Sequence, residues 1–232
     1  MVKNLNFLSL VIFTFYLILA AGSFPDGDSS YSSSSNNNYS PSSKPSASSQ
    51  KRNIVKFLSE VSTYSSDCAS KASETYKKLY ESDFTGDIDS QNREYIQNQL
   101  RGILSAKENM NESLTSAKNE SERLFSALLQ EIEGVSNAIL KAELQEQIRT
   151  NQLEVEKSLN QVLREVSKIG SSMQFVKDLL TSIQLLDNPM KSVNDLRPQF
   201  EALLATSNSS NTTLSEISLE AKSKIEGVKT LE

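Results

Sequence analysis

From Ile148 to Ile183 the chain carries Ile148, Gln152, Val155, Leu159, Val162, Val166, Ile169, Met173, Val176, Leu180 and Ile183, at spacings that alternate four and three. Only Gln152 is polar. A strand would repeat every second residue, so this pattern is one side of a helix with an apolar seam that other helices must cover. With Leu159 at position a of a heptad, the d set (Ile148, Val155, Val162, Ile169, Val176, Ile183) is wholly β-branched. Parallel two-stranded coils favour the reverse, with β-branched residues at a and Leu at d. Leu163, Leu179 and Leu186 occupy flanking positions that a zipper would give to charges, which widens the apolar face to that of a bundle helix.

The preceding chain supplies partners of the same kind. Ile54, Phe57, Val61, Tyr64, Cys68, Ala72, Tyr76 and Leu79 predict a helix over residues 53–80. Asp83, Gly86, Asp87 and Asp89 mark a loop, with Asp89 or Ser90 placed to cap the next helix. That helix carries Ile96, Leu100, Ile103, Met110, Leu114, Ala117, Leu124 and Leu128, interrupted by Lys107 and Ser121. Counting on in sevens from Leu128 misses the Ile148–Ile183 seam by three residues, so residues 134–137 hold a turn or a kink, with Ser136 or Asn137 as the new cap.

Gly170 costs about 1 kcal/mol in a helix interior, and the seam is expected to run through it. Asp187-Asn188-Pro189 stops the helix, and Pro198 breaks the next one, because the residue before a proline is driven out of helical geometry. Ser207 to Thr212 reads as a polar loop. Thr213 and Glu216 then form a capping box for a last helix through Leu214, Ile217, Ala221, Ile225 and Val228. Without strand alternation or a fixed repeat, the expected fold is all-α: an elongated antiparallel helical bundle.

The first residues differ in kind. Lys3, the apolar run Phe7–Ala21 and the small residues Ala20-Ala21-Gly22 make residues 1–22 an expected secretory leader, cut ahead of Ser23. Without Lys3 the net charge of −5 becomes −6. Thirteen of the 28 residues from Ser23 to Gln50 are Ser, so residues 23–52 are expected to form a disordered Ser/Asn-rich tail unable to bury a core. That tail ends in Lys51-Arg52, a candidate processing site or a basic lead-in to the helical domain, residues 53–232.

Composition also bears on chemistry. With no His, neither a Ser-His-Asp nor a Cys-His arrangement can be assembled, and no Gly-rich phosphate loop is present. The reading is therefore non-enzymatic, with no catalytic residues and no cofactor. Asp83–Glu94 has EF-hand length with Asp83, Thr85, Asp87 and Glu94 at ligand positions. Ile88 stands where the loop needs Gly, so a capped loop and no metal site is the preferred reading. Residues 53–232 hold 27 acidic and 20 basic side chains, the latter interleaved with Glu, which disfavours nucleic acid.

What remains are surface and modification features. Asn38, Asn111, Asn119, Asn208 and Asn211 begin N-x-S/T sequons. Cys68, alone in the chain, is either a buried small hydrophobe or one half of an interchain disulfide. The expected function is that of a secreted helical protein acting by extracellular protein binding or self-association, with no transmembrane segment after leader cleavage. A lipid surface is the alternative partner, since the helix pattern, though nothing more, resembles that of the exchangeable apolipoproteins and similar apolipophorin-like carriers. An extracellular structural coiled coil is the third reading.

Overall fold

A long seam demands equally long partners, and the chain provides them. A computed structural model describes residues 46–81, 90–187 and 189–229. The leader, Asn38, most of the Ser-rich tail, Asp83–Asp89 and Asn188 lie outside the described residues. Helix α1 (Ala47–Tyr76) continues into a wider π-helical turn, Lys77–Glu81. It is followed by α2 (Ser90–Ile132), α3 (Ala138–Gly170), α4 (Met173–Leu185), the short α5 (Met190–Asp195) and α6 (Arg197–Gly227). No strand occurs among the described residues.

The packing is a four-legged antiparallel bundle. The α1 leg lies between α2 and α6; the third leg, α3 followed by α4, lies between the same two. Cross-ties give the directions. Ser113 Oγ donates to Glu60 Oε2 at 3.1 Å between α2 and α1, and Lys118 Nζ to Asn160 Oδ1 at 3.2 Å between α2 and α3. Lys224 Nζ donates to Ser158 Oγ at 3.1 Å between α6 and α3. The 43 residues of α2 make it about 64 Å long at 1.5 Å per residue, long enough to back both α3 and α4.

One continuous core runs along the axis. Ile54, Leu58 and Val61 of α1 join Leu100, Ile103, Met110 and Leu128 of α2, and Val162, Val166 and Ile169 of α3, all fully buried. Each such side chain contributes about 1.5–3 kcal/mol on removal from water, so the seam outweighs the weak intrinsic helix preference of its β-branched residues.

Several boundaries depart from the sequence expectation. Helix α1 starts six residues before Asn53, because Ser46 Oγ accepts from the Ser49 N–H and Ala47 and Gln50 are buried. Residues 47–52 thus belong to the helical unit, not to a disordered tail. The third leg does not pass smoothly through Gly170. It breaks at Ser171-Ser172, with Ser171 Oγ donating back to the Lys168 carbonyl at 2.6 Å. A Cβ on Gly170 would sit 2.9 Å from Cε of Lys107, so the end of that side chain from α2 occupies the space beside the glycine. The seam nonetheless continues across the break, rotated slightly: Leu179 is fully buried while Leu180 is only half-buried.

The expected loop Ser207–Thr212 is helix throughout. Its hydroxyls turn inward or back onto the helix: Thr212 Oγ1 donates to the Asn208 carbonyl at 3.3 Å and Thr213 Oγ1 to that of Ser209 at 3.1 Å. Thr213 therefore caps nothing. The turn after α2 is real, with Asn137 Oδ1 accepting from the N–H groups of Ile139 and Leu140, both at 3.1 Å. The helix is interrupted near Pro198, but at Leu196: Arg197, expected out of helical geometry, is the first residue of α6, and the proline stands in its first turn, where its missing N–H is not needed.

Candidate functional site

Bundle legs need their ends tied, and the densest side-chain cluster does this where α1, α4, α5 and α6 meet. Phe200 is fully buried, with ring centroids 6.0 Å from Tyr76, 6.0 Å from Tyr80 and 5.6 Å from Phe175. The Arg197 guanidinium lies over the Tyr80 and Tyr76 rings at 5.5 and 5.9 Å and donates through Nε to Glu201 Oε1 at 3.0 Å. Tyr76 Oη donates to the same carboxylate at 2.8 Å, and hydrogen bonding from Tyr76 and Arg197 holds Glu201 below the usual carboxylate range. Tyr80 Oη donates to the Val193 carbonyl at 2.8 Å; burial pushes its phenol well above the ordinary value. Both tyrosine hydroxyls, Arg197 Nε and Nη2, and Glu201 Oε1 are spent on neighbours, so the cluster is a clamp. The spacing of Tyr76 and Phe200 places both on seams, but nothing in the sequence pairs Arg197 with two tyrosines more than a hundred residues away.

Two basic side chains perform a second tie that the sequence does not announce. Lys51 Nζ donates to the carbonyls of Glu226 at 2.9 Å and Val228 at 2.7 Å, closing the free end of α6. Arg93 donates to the carbonyls of Ile183 at 3.2 Å, Leu186 at 2.8 Å and Asp187 at 3.0 Å, closing α4. A cation at unpaired terminal carbonyls is favourable for both hydrogen bonding and the helix dipole. The dibasic pair thus sits in the second turn of α1, with Lys51 engaged and Arg52 exposed.

Midway along, the core turns polar. Cys68 is fully buried beside Ser207, and Lys107, half-buried, runs past Gly170 to donate to Asn111 Oδ1 at 2.6 Å. Burial pushes the Cys68 thiol up to about 11 against the nearby lysines, and burial lowers Lys107. A protonated, enclosed thiol is a poor nucleophile, and its sulfur is not presented to a second chain. Because the thiol holds its proton to higher pH in the folded chain than in the unfolded one, stability should fall as pH rises from about 9 to about 11. Thermal unfolding of Cys68→Ala over that window should show a smaller fall. A thiol reagent at pH 8 should label wild type only on unfolding; prompt labelling of the folded protein would contradict this burial.

The sequons Asn111, Asn119, Asn208 and Asn211 all lie within helices, the first three exposed and Asn211 half-buried. Asn208 and Asn211, expected in a loop, stand on α6. Among the described residues no group of three or more His, Cys, Asp or Glu is placed to hold a metal, and Asp83, Thr85 and Asp87 fall outside them. No described helix is long and apolar enough to cross a membrane.

One stretch stands apart from the bundle. Since Lys224 on the last turns of α6 reaches Ser158, the start of α3 runs beyond the end of α6. From Glu133 to Gln147 no residue is buried, and Ile139 and Leu140 are 75% and 46% exposed. No protein-family model matches this sequence, and no curated protein matches it.

Proposed function

We propose that the chain is an exported, non-enzymatic binding protein whose helical exterior engages an extracellular macromolecule or a second copy of itself. The observation that supports this most directly is the projecting start of α3, where Ile139 and Leu140 stand in water beside the capped turn at Asn137. Adjacent large apolar residues on a rigid, well-capped helix are an inexpensive anchor for a partner, since little ordering entropy remains to be lost. Substituting both, as Ile139→Glu with Leu140→Glu, should leave helicity and the melting temperature unchanged, because neither side chain supports the core. Sedimentation at rising concentration reads self-association, and capture from the extracellular fluid reads a partner. The double variant should lose whichever of these the wild type displays; wild-type behaviour in both would refute this surface.

A lipid-binding bundle is the second reading, favoured by the composition of the α6 seam. Between Leu203 and Ala221 that seam buries Ser207, Ser210 and Ser218, with Leu214 the one large apolar side chain among its fully buried residues. Along that stretch α6 has little apolar surface holding it to the bundle, which suits a helix that leaves when the bundle opens on an interface. Mixing with phospholipid vesicles, followed by helicity, melting and turbidity, separates the readings. No change in any of the three at physiological salt sinks the lipid version.

A further inference from the structure

Three of the four described sequons present the asparagine to solvent and hide the hydroxyl. Asn111, Asn119 and Asn208 are exposed, whereas Ser113, Ser121 and Ser210 at the third position are 7%, 2% and 1% exposed. Ser113 Oγ is engaged with Glu60, and Ser210 Oγ donates to Glu165 Oε2 at 3.4 Å. In Asn211-Thr212-Thr213 the last hydroxyl is bonded to the Ser209 carbonyl. The acceptor motif consists of both side chains. In a helix, residues two apart point about 200° away from each other, so one active site cannot hold both.

We propose that Asn111, Asn119 and Asn208 accept N-linked oligosaccharide before α2 and α6 form and never afterwards, so that transfer and helix formation compete for the same residues. The proposal rests on the export reading, which supplies the lipid-linked oligosaccharide donor. In the transfer step, the asparagine Nδ2 forms a bond to C1 of the first sugar. The bond from C1 to the pyrophosphate oxygen breaks, the lipid pyrophosphate leaves, and Nδ2 gives up one proton. Nothing in the fold is then disturbed. The sugars project from exposed positions, and the Asn111 Oδ1 that accepts from Lys107 is not the atom consumed. Asn211, only three residues along the chain from Asn208, is the site excluded once Asn208 is occupied.

The test mixes purified oligosaccharyltransferase and lipid-linked oligosaccharide with the full-length folded chain and with Ala117→Pro, reading site occupancy by mass. Ala117 is fully buried in α2 between the two sequons and belongs to neither tripeptide, and proline there breaks the helix. Transfer to Asn111 and Asn119 is expected to be about tenfold or more faster in the variant, because opening the middle of a packed helix is rare in the wild type. Adding Ser113→Ala should abolish modification at Asn111 alone. If circular dichroism shows Ala117→Pro still fully helical, a peptide of residues 105–125 takes its place. Equal rates on folded and opened chains overturn the ordering, and no transfer to either overturns the acceptor assignment. Both outcomes are independent of cellular routing; an expressed chain that stays inside cells removes the export reading and leaves this result standing.

Discussion

Phe200→Ala is expected to lower the unfolding free energy by about 3–5 kcal/mol, and the melting temperature by about 10 °C or more. The ring is fully buried, and its loss removes contacts to Tyr76, Tyr80 and Phe175 at once. Those residues belong to α1, its π-helical extension and α4, so the cavity opens where three legs meet. The Tyr76 and Tyr80 rings beneath the Arg197 guanidinium would lose the ring that backs them, and the Arg197–Glu201 pair, half-exposed and of small value, would not make up for it. Leu204→Ala, one residue beyond the buried Leu203 and only half-buried, is the control and should cost far less. Calorimetry of both variants decides it. Equal, small shifts would mean that this end is not clamped in solution.

Val166→Asp should do more damage still. Val166 is fully buried in the driest layer of α3, between Val162 and Ile169. A carboxylate there has no partner, and the cost of an unpaired buried charge is on the order of 4–5 kcal/mol or more, a large part of a typical domain's stability. The effect has a pH signature. Burial raises the folded-state pKa of the new carboxyl, so the folded chain holds the proton longer than the unfolded chain. The penalty is then smallest in acid and grows as pH rises through about 4, the ordinary value for Asp. Denaturant titrations of variant and wild type at several pH values should show the gap widening in that direction. A gap that is constant with pH would place residue 166 in water and break the bundle register.

Why the register was legible, and other parts were not, follows from particular residues. From Val155 to Ile169 the seam is large and apolar, and burial is the only state that satisfies it, so spacing alone predicts every buried residue there but Ser158. Ser207, Ser210 and Ser218 satisfy no such rule. A hydroxyl is content in a loop, at a cap or bonded to its own helix, and composition favoured the loop. What decides for helix is that Ser65, Cys68, Ala69 and Ala72 on α1 are also small and buried, leaving room for small residues on the facing leg. That is information from another part of the chain. At Gly170 the sequence shows only a propensity cost, and not the end of the Lys107 side chain from α2 that lies where a Cβ would be. The clamp around Arg197 and the ties from Lys51 and Arg93 join residues about 90 to 180 positions apart, for which no local pattern exists. The candidate surfaces are legible in outline: Asn111 and Asn119 are not among the seam residues running from Ile96 to Leu128, in agreement with their exposure, but the burial of the paired hydroxyls depends on the packed neighbours.

The bond from Lys51 to the last carbonyls of α6 has a topological consequence. With the Lys51 ammonium bonded to the Glu226 and Val228 carbonyls, the first and last legs are tied at their ends, as the second and third are joined through the turn near Gly134, and the four legs form a closed circuit. The order of the legs around the axis then carries the architecture, and the place where the polypeptide is interrupted does not. A short bridge from residue 229 back to 46, with the chain opened at 134, would thread the same square by a different route.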